Sequence, residues 1–190
     1  MSAGASYRLQ AEPGELDLIR FRQAAERGAA AAGRDPAAAC DSYETAVRLW
    51  RGWPLADVGL LRDSPRVLTL REQHAEVVLR YADAAAAAGR HHVIVPCLRL
   101  LAAAEPLDER AHARLMIALA GSGQQAAALA VYAGITARLD DQLGIRPGSD
   151  IAQAHLRVLR QDVGADPAPG LRPPGQFRCP ARPVQRLGPG

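Results

Sequence analysis

The chain of 190 residues is 48% hydrophobic but only 4% aromatic, and its many alanines favour one helical domain of ordinary size over strands. The formal net charge of +3 resides in the tail, because residues 1 to 162 hold 19 arginines and 19 acidic residues. The body of the chain therefore has no net charge, which argues against direct, specific DNA binding by the chain. Three scattered cysteines argue against a disulfide framework or a zinc site, and the absence of a signal peptide or membrane-spanning run predicts a cytoplasmic protein with no membrane partner.

The two ends of the chain differ from its middle. Residues 1 to 15 are mostly small or polar up to Pro13 and Gly14, which predicts an extended N-terminal arm. From residue 163 the chain holds seven of its 14 prolines and five of its 17 glycines, and such a segment neither holds a helix nor offsets its ordering entropy by burial. We therefore expect a folded domain over residues 16–162 and a disordered tail over residues 163–190.

Seven helices are predicted in the folded domain, each bounded by a glycine, a proline or an N-cap residue. The first runs from about Leu16 to Ala32 and is ended by Gly33. The second begins after Asp35 as N-cap, with Pro36 at the first helical position, and ends near Arg51.

The middle of the chain continues this alternation of helices and breaks. The segment WRGWPLADV, Trp50 to Val58, forms a connector. Ser64 followed by Pro65 starts a third helix that runs to Gly89, and a fourth covers His92 to Ala104.

Three more helices are predicted before the tail. Asp108 caps the fifth, which ends near Ala120, and the sixth spans Gln124 to Leu143. Ser149 caps the seventh, which ends around Asp162.

An internal repeat is marked by the glycines between helices. Gly89 and Gly123 lie 34 residues apart, which is the period of tetratricopeptide (TPR) repeats, whereas Gly33 precedes Gly89 by 56 residues, the difference being the connector. Small and large apolar residues recur around Gly89 and Gly123, and a proline ends one repeat: Tyr81, Ala82, Ala85, Leu98, Leu101 and Pro106, then Leu115, Met116, Leu119, Ala128, Tyr132 and Ile135. This pattern predicts an all-α, TPR-like right-handed superhelix of about seven antiparallel helices, in which the poorly matching unit around Gly33 is a terminal repeat.

Two segments carry a resemblance to a known family. Leu49 to Val58, LWRGWPLADV, is similar to the LWRG-PL connector of the bacterial transcriptional activator domain of SARP-type regulators. Pro106 to Ile151 is similar to that domain's longer pattern PL-ER, LM-AL--SG---AL--Y and L---LGI-PG--L. The resemblance covers about residues 16 to 160 and implies a TPR-like module that regulates transcription through protein contacts.

The beginning of the chain adds to this resemblance. Tyr7 to Phe21 is similar to the junction between the family's winged-helix DNA-binding domain and its activator domain, and only MSAGAS precedes it. We therefore expect the chain to lack the winged helix, so promoter reading is not implied for it. The tail carries no GxxxxGK[ST] motif, so the nucleotide-binding domain of larger relatives is not expected either.

Two tryptophans flank the connector. Core packing is the more frequent role of such residues than a partner-binding anchor, and we assign Trp50 to packing. Trp53 lies between Gly52 and Pro54, which favours a position near a surface groove. At the start of the fifth helix, Glu109 suits the helix dipole and is assigned to local helix stabilisation together with its neighbours Leu107 and Arg110.

No residue set in the sequence indicates chemistry. His91 and His92 are adjacent and diverge by about 100° on a helix, and the other histidines are isolated, so no metal site is predicted. Asp140 and Asp141 also diverge, with no serine or histidine at a fixed spacing. Because GxSxG, HExxH and GxGxxG are absent, we predict neither a catalytic residue nor a cofactor, and the protein is not expected to be an enzyme.

The leading hypothesis is a transcription-regulatory interaction module. Its partner is another regulator, a second copy in a homodimer, or the transcription machinery, bound on the concave surface of the repeats. In a TPR stack the first helix of each pair lines that surface, which favours Arg114 over Arg99 as a contact residue, with Trp53 as a third candidate. The alternatives are a DNA-binding regulator in its own right and a helical domain that senses a small molecule.

Overall fold

Seven α-helices form in the part of the chain that the computed structural model describes, residues 17–50, 52 and 64–164. They are α1 (Asp17–Ala31), α2 (Pro36–Arg48), α3 (Pro65–Ala87), α4 (Val95–Ala104), α5 (Glu109–Gly121), α6 (Gln125–Leu143) and α7 (Ser149–Arg160). No strand occurs among those residues, and none of their helices is both long and apolar enough to cross a membrane. The predicted arm over residues 1–15 and almost all of the predicted tail lie outside the described residues.

The helices pack as consecutive pairs. α1 packs against α2, α3 against α4 and α5 against α6, while α2 also contacts α3, α4 contacts α5, and α7 covers α5 and α6. This arrangement of stacked helix pairs confirms the predicted all-α, TPR-like fold of seven helices. Val163, just beyond α7, packs partly against the core, so contact with the folded body extends past the predicted boundary of the tail.

Two of the predicted N-caps are present. The Asp35 carboxylate accepts a hydrogen bond of 3.0 Å from the Ala38 N–H, with Pro36 opening α2. The Asp108 carboxylate accepts 2.9 Å and 3.3 Å hydrogen bonds from the N–H groups of Arg110 and Ala111. These bonds satisfy backbone donors that have no partner inside the helix, which fixes where α2 and α5 begin.

The prediction that Ser149 caps α7 is wrong. Gly148 occupies the N-cap position, and its N–H donates a hydrogen bond of 2.6 Å to the Glu109 carboxylate at the start of α5. Ser149 is the first helical residue instead, and its hydroxyl lies 3.4 Å from the Asp150 carboxylate. A tertiary contact between two helix N-termini therefore replaces the local cap.

The fourth helix begins later than predicted. His91–Val93 form a short 3₁₀ turn, and α4 starts only at Val95. Pro96 gives the reason, because an α-helix from His92 would need a hydrogen bond from the nitrogen of Pro96, which carries no hydrogen. The remaining helix ends lie within a few residues of the predicted positions.

The glycines between helices are not all equivalent. Gly89 and Gly123 adopt left-handed conformations with φ of 63° and 78°, and the residue after each one donates back into the preceding helix, Arg90 to the carbonyl of Ala85 and Gln124 to that of Leu119. The two repeat positions thus share one helix-ending geometry. Gly33 lies in the turn between α1 and α2 without a positive φ, so the poorly matching unit around it ends its first helix in a different geometry.

The core runs between the helix pairs and includes every repeat position predicted around Gly89 and Gly123 except Pro106. Tyr81 is fully buried, and Tyr132 is partly buried with its ring stacked on His155 at 3.8 Å between ring centroids. Pro106 lies in the turn between α4 and α5. Close helix approach depends on glycine, since a Cβ atom at Gly28 would lie 2.7 Å from the Tyr43 ring.

Candidate protein-interaction surface

Four helices lie side by side on one face of the stack. They are the first helices of the three pairs, α1, α3 and α5, followed by α7, and neighbouring members are in contact or joined by side chains. This arrangement corresponds to the concave face of a TPR protein, and we call it the concave face. Two grooves on this face are lined by described residues.

The first of these, the α5 groove, lies between α3, α5 and α7 and has a volume of about 420 Å³. Its floor consists largely of alanines, whose small side chains leave the space open. Its polar lining comes from all three helices: Asp83, Arg114, Asp150, Gln153 and Arg157. Both signs of charge are therefore presented along one depression.

Arg114 is fixed in this groove by Asp83. Its guanidinium donates two parallel hydrogen bonds of 2.9 Å, from Nε to Oδ1 and from Nη2 to Oδ2, and a third of 3.4 Å reaches the carbonyl of Arg110. The side chain of Arg114 is 29% exposed, and that of Asp83 is 58% exposed. Bidentate pairing gives the arginine one orientation, so it is presented to the groove in an ordered form.

A ridge of ion pairs separates this groove from the second one. Glu76 on α3 accepts a hydrogen bond of 3.0 Å from Arg80 and lies 3.7 Å from a guanidinium nitrogen of Arg110 on α5. Together with Asp83 and Arg114, these side chains form a ladder of alternating charge across α3 and α5. The second groove lies between α1 and α3, has a volume of about 490 Å³, and is described in detail below.

The other candidate contact residues lie elsewhere. Arg99 is exposed on α4, the second helix of its pair, which is not one of the four helices of the concave face. Trp53 lies outside the described residues. Trp50 is partly buried and packs against the core, with ring centroids 4.4 Å from His74 and 5.6 Å from Phe21.

His74 and His112 occupy structural positions. The pKa of His74 is lowered to about 4 by burial between the rings of Trp50 and Phe21. Burial also lowers the pKa of His112, whose ring nitrogens lie 2.8 Å from the carbonyl oxygen of Asp108 and 3.4 Å from the guanidinium of Arg138. Within the described part of the chain, no three His, Cys, Asp or Glu side chains cluster closely enough to hold a metal ion.

Sequence reasoning missed two residues of this surface. Asp83 had no assigned role, although it lies about one helical turn from the repeat position that corresponds to Arg114, where opposite charges can meet across two first helices. Glu109 was assigned only to its own helix, whereas its carboxylate binds the N-cap of α7. A search for opposite charges at similar repeat positions finds the first pair, but no local signal finds the second.

The stacked helix pairs and the grooved face across their first helices place the chain in the class of TPR-like helical-repeat proteins. More particularly, residues 16–159 match the bacterial transcriptional activator domain, and the chain belongs to this family. The family predicted from the two sequence segments is thereby confirmed.

Relatives of the chain regulate transcription. It is similar to the transcriptional regulator RedD of Streptomyces coelicolor, at 34% identity over 82% of this chain and 45% of RedD. It is also similar to the regulatory protein AfsR of the same organism, at 39% identity over 85% of this chain and 16% of AfsR. The chain spans less than half the length of each of these relatives.

A solved structure shows the same fold. Mycobacterium tuberculosis EmbR, in complex with a low affinity phosphopeptide, matches 84% of this chain with a TM-score of 0.67 and 32% identity. The matched part is 42% of that EmbR chain.

Proposed function

We propose that this chain is a non-catalytic interaction module of transcription regulation, and that it binds a protein partner on the concave face. The observation that carries the proposal is the Arg114–Asp83 pair, which holds an ordered arginine in the α5 groove. An ordered side chain loses little conformational freedom on binding, so its contacts with a partner are gained at low entropic cost.

The comparisons support a regulatory role of this kind. The relatives are transcriptional regulators, and the EmbR structure is a complex with a phosphopeptide, so one relative binds a peptide ligand. Stacked helix pairs offer an extended groove that accepts a helix or a peptide. The partner is another regulator, the transcription machinery or a second copy of the chain.

The proposal is tested by reversing the charge of Arg114. Arg114→Glu places a second carboxylate beside Asp83, so we expect weaker binding to the partner, measured with purified RNA polymerase and with the chain itself by sedimentation velocity. Arg99→Glu is the matched control, because it makes the same change at an exposed site away from the concave face. Circular dichroism verifies that both variants keep their helices.

A further variant separates binding from folding. Exchanging the two charges, with Asp83→Arg and Arg114→Asp together, rebuilds the internal ion pair but moves the positive charge to α3. We expect stability to return toward that of the original chain while partner binding stays weak. Equal binding by Arg114→Glu, Arg99→Glu and the unmodified chain contradicts the proposal, as does salt-sensitive binding of duplex DNA in place of a protein.

A further inference from the structure

The groove between α1 and α3 has an apolar floor. Phe21, Tyr43 and Val77 lie buried at its base, while Ala25 and Ala29, one turn apart on α1, line its side. The volume of about 490 Å³ exists because these two alanines leave space that larger side chains would fill. The groove runs between two helices, so a chain segment can lie along it.

The positive charges of the groove are already engaged. Arg22 donates hydrogen bonds of 3.1 Å and 3.3 Å to the Gln73 side chain and thereby bridges α1 and α3. Arg80 donates a hydrogen bond of 3.0 Å to Glu76 on the same helix. The charge of Arg80 is balanced by Glu76, whereas the neutral Gln73 orders Arg22 without balancing its charge.

Two negative charges of the groove have no such partner. Glu26 on α1 and Glu72 on α3 are exposed, and neither carboxylate takes part in a hydrogen bond or ion pair with another described residue. They stand on opposite sides of the apolar floor. The groove therefore combines an apolar base with a rim that carries a free carboxylate on each side, on α1 and on α3.

We propose that the α1–α3 groove binds a basic peptide segment of the partner protein, in which an aliphatic or aromatic side chain is flanked by arginine or lysine. The apolar side chain enters above Phe21 and Val77, and the flanking cations pair with Glu26 and Glu72. The inference rests on the proposed function, since both place the partner on the concave face. It differs in naming a second subsite and the chemistry that this subsite accepts.

The test uses the full chain and two fluorescent probe peptides. In one, a leucine is flanked on both sides by arginine, and in the other the arginines are replaced by glutamate. We expect fluorescence anisotropy to show binding of the basic peptide only, weakened by added salt. Glu26→Arg with Glu72→Arg should weaken it by about tenfold or more, because two attractive pairs become repulsive.

Two variants serve as comparisons. Ala29→Leu fills the groove at an exposed position, so it should reduce binding of the basic peptide without changing the helical content. Asp140→Arg with Asp141→Arg makes the same double charge reversal on exposed positions of α6, away from the groove, and should leave binding unchanged.

Several results overturn the inference. They are equal binding of both peptides, unchanged binding by the Glu26/Glu72 double variant, or an effect of the Asp140/Asp141 double variant as large as that of the Glu26/Glu72 variant. Loss of self-association in the double variant, without binding of the basic peptide by the unmodified chain, assigns the groove to a second copy instead. Arg114→Glu should bind the basic peptide normally, so a failure of the proposed function is distinguishable from a failure of this inference.

Discussion

Arg114 on α5 and Asp83 on α3 are joined by two parallel hydrogen bonds of 2.9 Å, and this contact links two repeats across the concave face. Because both side chains are partly exposed, we expect the pair to contribute about 1 kcal/mol or less to the free energy of unfolding. A double-mutant cycle with Asp83→Ala and Arg114→Ala, followed by urea denaturation, measures this coupling. A coupling of zero would mean that Arg114 is not held in the orientation described.

Burial of His74 should make the protein less stable in mild acid. Its pKa is lowered from 6.5 to about 4 by burial, so the unfolded chain binds a proton at a pH where the folded chain does not. The free energy of unfolding is therefore at its full value above about pH 6.5. As the pH falls toward 4, protonation of His74 in the unfolded chain lowers it by up to about 3 kcal/mol. Urea unfolding at a series of pH values measures the slope.

His74→Phe is the control for this slope. Phenylalanine keeps a ring between Trp50 and Phe21 but cannot bind a proton, so the variant should lose less stability between pH 6.5 and 4. Part of the slope should remain, since burial lowers the pKa of His112 in the same direction. Identical slopes for the variant and the unmodified chain would rule out His74 as the source.

A side chain larger than hydrogen at Gly121 should cause a packing defect. A Cβ atom at this position would overlap the ring of His91, which is 1% exposed and closed in by the core. Gly121→Ala should therefore lower the free energy of unfolding by about 1 to 3 kcal/mol, as overpacked cores do. Thermal unfolding followed by circular dichroism provides the measurement.

Gly134 on α6 provides the matched comparison for Gly121. The nearest neighbour of a Cβ atom there is the flexible end of the Arg138 side chain, at 3.6 Å. Gly134→Ala should accordingly leave stability unchanged or raise it by up to about 1 kcal/mol, because alanine favours the helix. A similar loss in both variants would show that the His91 contact is not the cause.

The contact between Glu109 and Gly148 acts as a cap on α7 that comes from the start of α5. Glu109→Ala removes the acceptor of the Gly148 N–H, so we expect a loss of about 1 kcal/mol in unfolding free energy. Ser149→Ala should change stability by much less, because the Ser149 hydroxyl does not cap α7. Comparing the two variants by urea denaturation decides between the tertiary and the local cap, and a larger loss from Ser149→Ala would favour the local one.

Much of the fold could be predicted because its signals are local. Asp35 and Asp108 cap α2 and α5 as predicted, since an N-cap needs only a carboxylate beside the first free N–H groups. Gly89 and Gly123 end α3 and α5 in the same left-handed geometry, which the spacing of 34 residues already indicated. The recurrence of these signals predicted the repeat, and the family followed from one short and one long segment.

The candidate site depended on contacts that no local signal carries. The sequence pointed to the concave face and to Arg114, but the partner of that arginine is a side chain from the preceding repeat. In the same way, the cap of α7 comes from the start of α5, and Trp50 is covered by rings from α1 and α3. Each of these contacts joins elements that are distant along the chain.

The sequence by itself determined where helices form and that they repeat, because capping groups, glycines and apolar spacing act within a few residues. Only the tertiary structure decided which charges on the concave face are paired and which, such as Glu26 and Glu72, have no partner among the described residues. The physical reason is that an ion pair between helices depends on the rotation and separation of the stacked pairs, and these are fixed by the packing of the whole core.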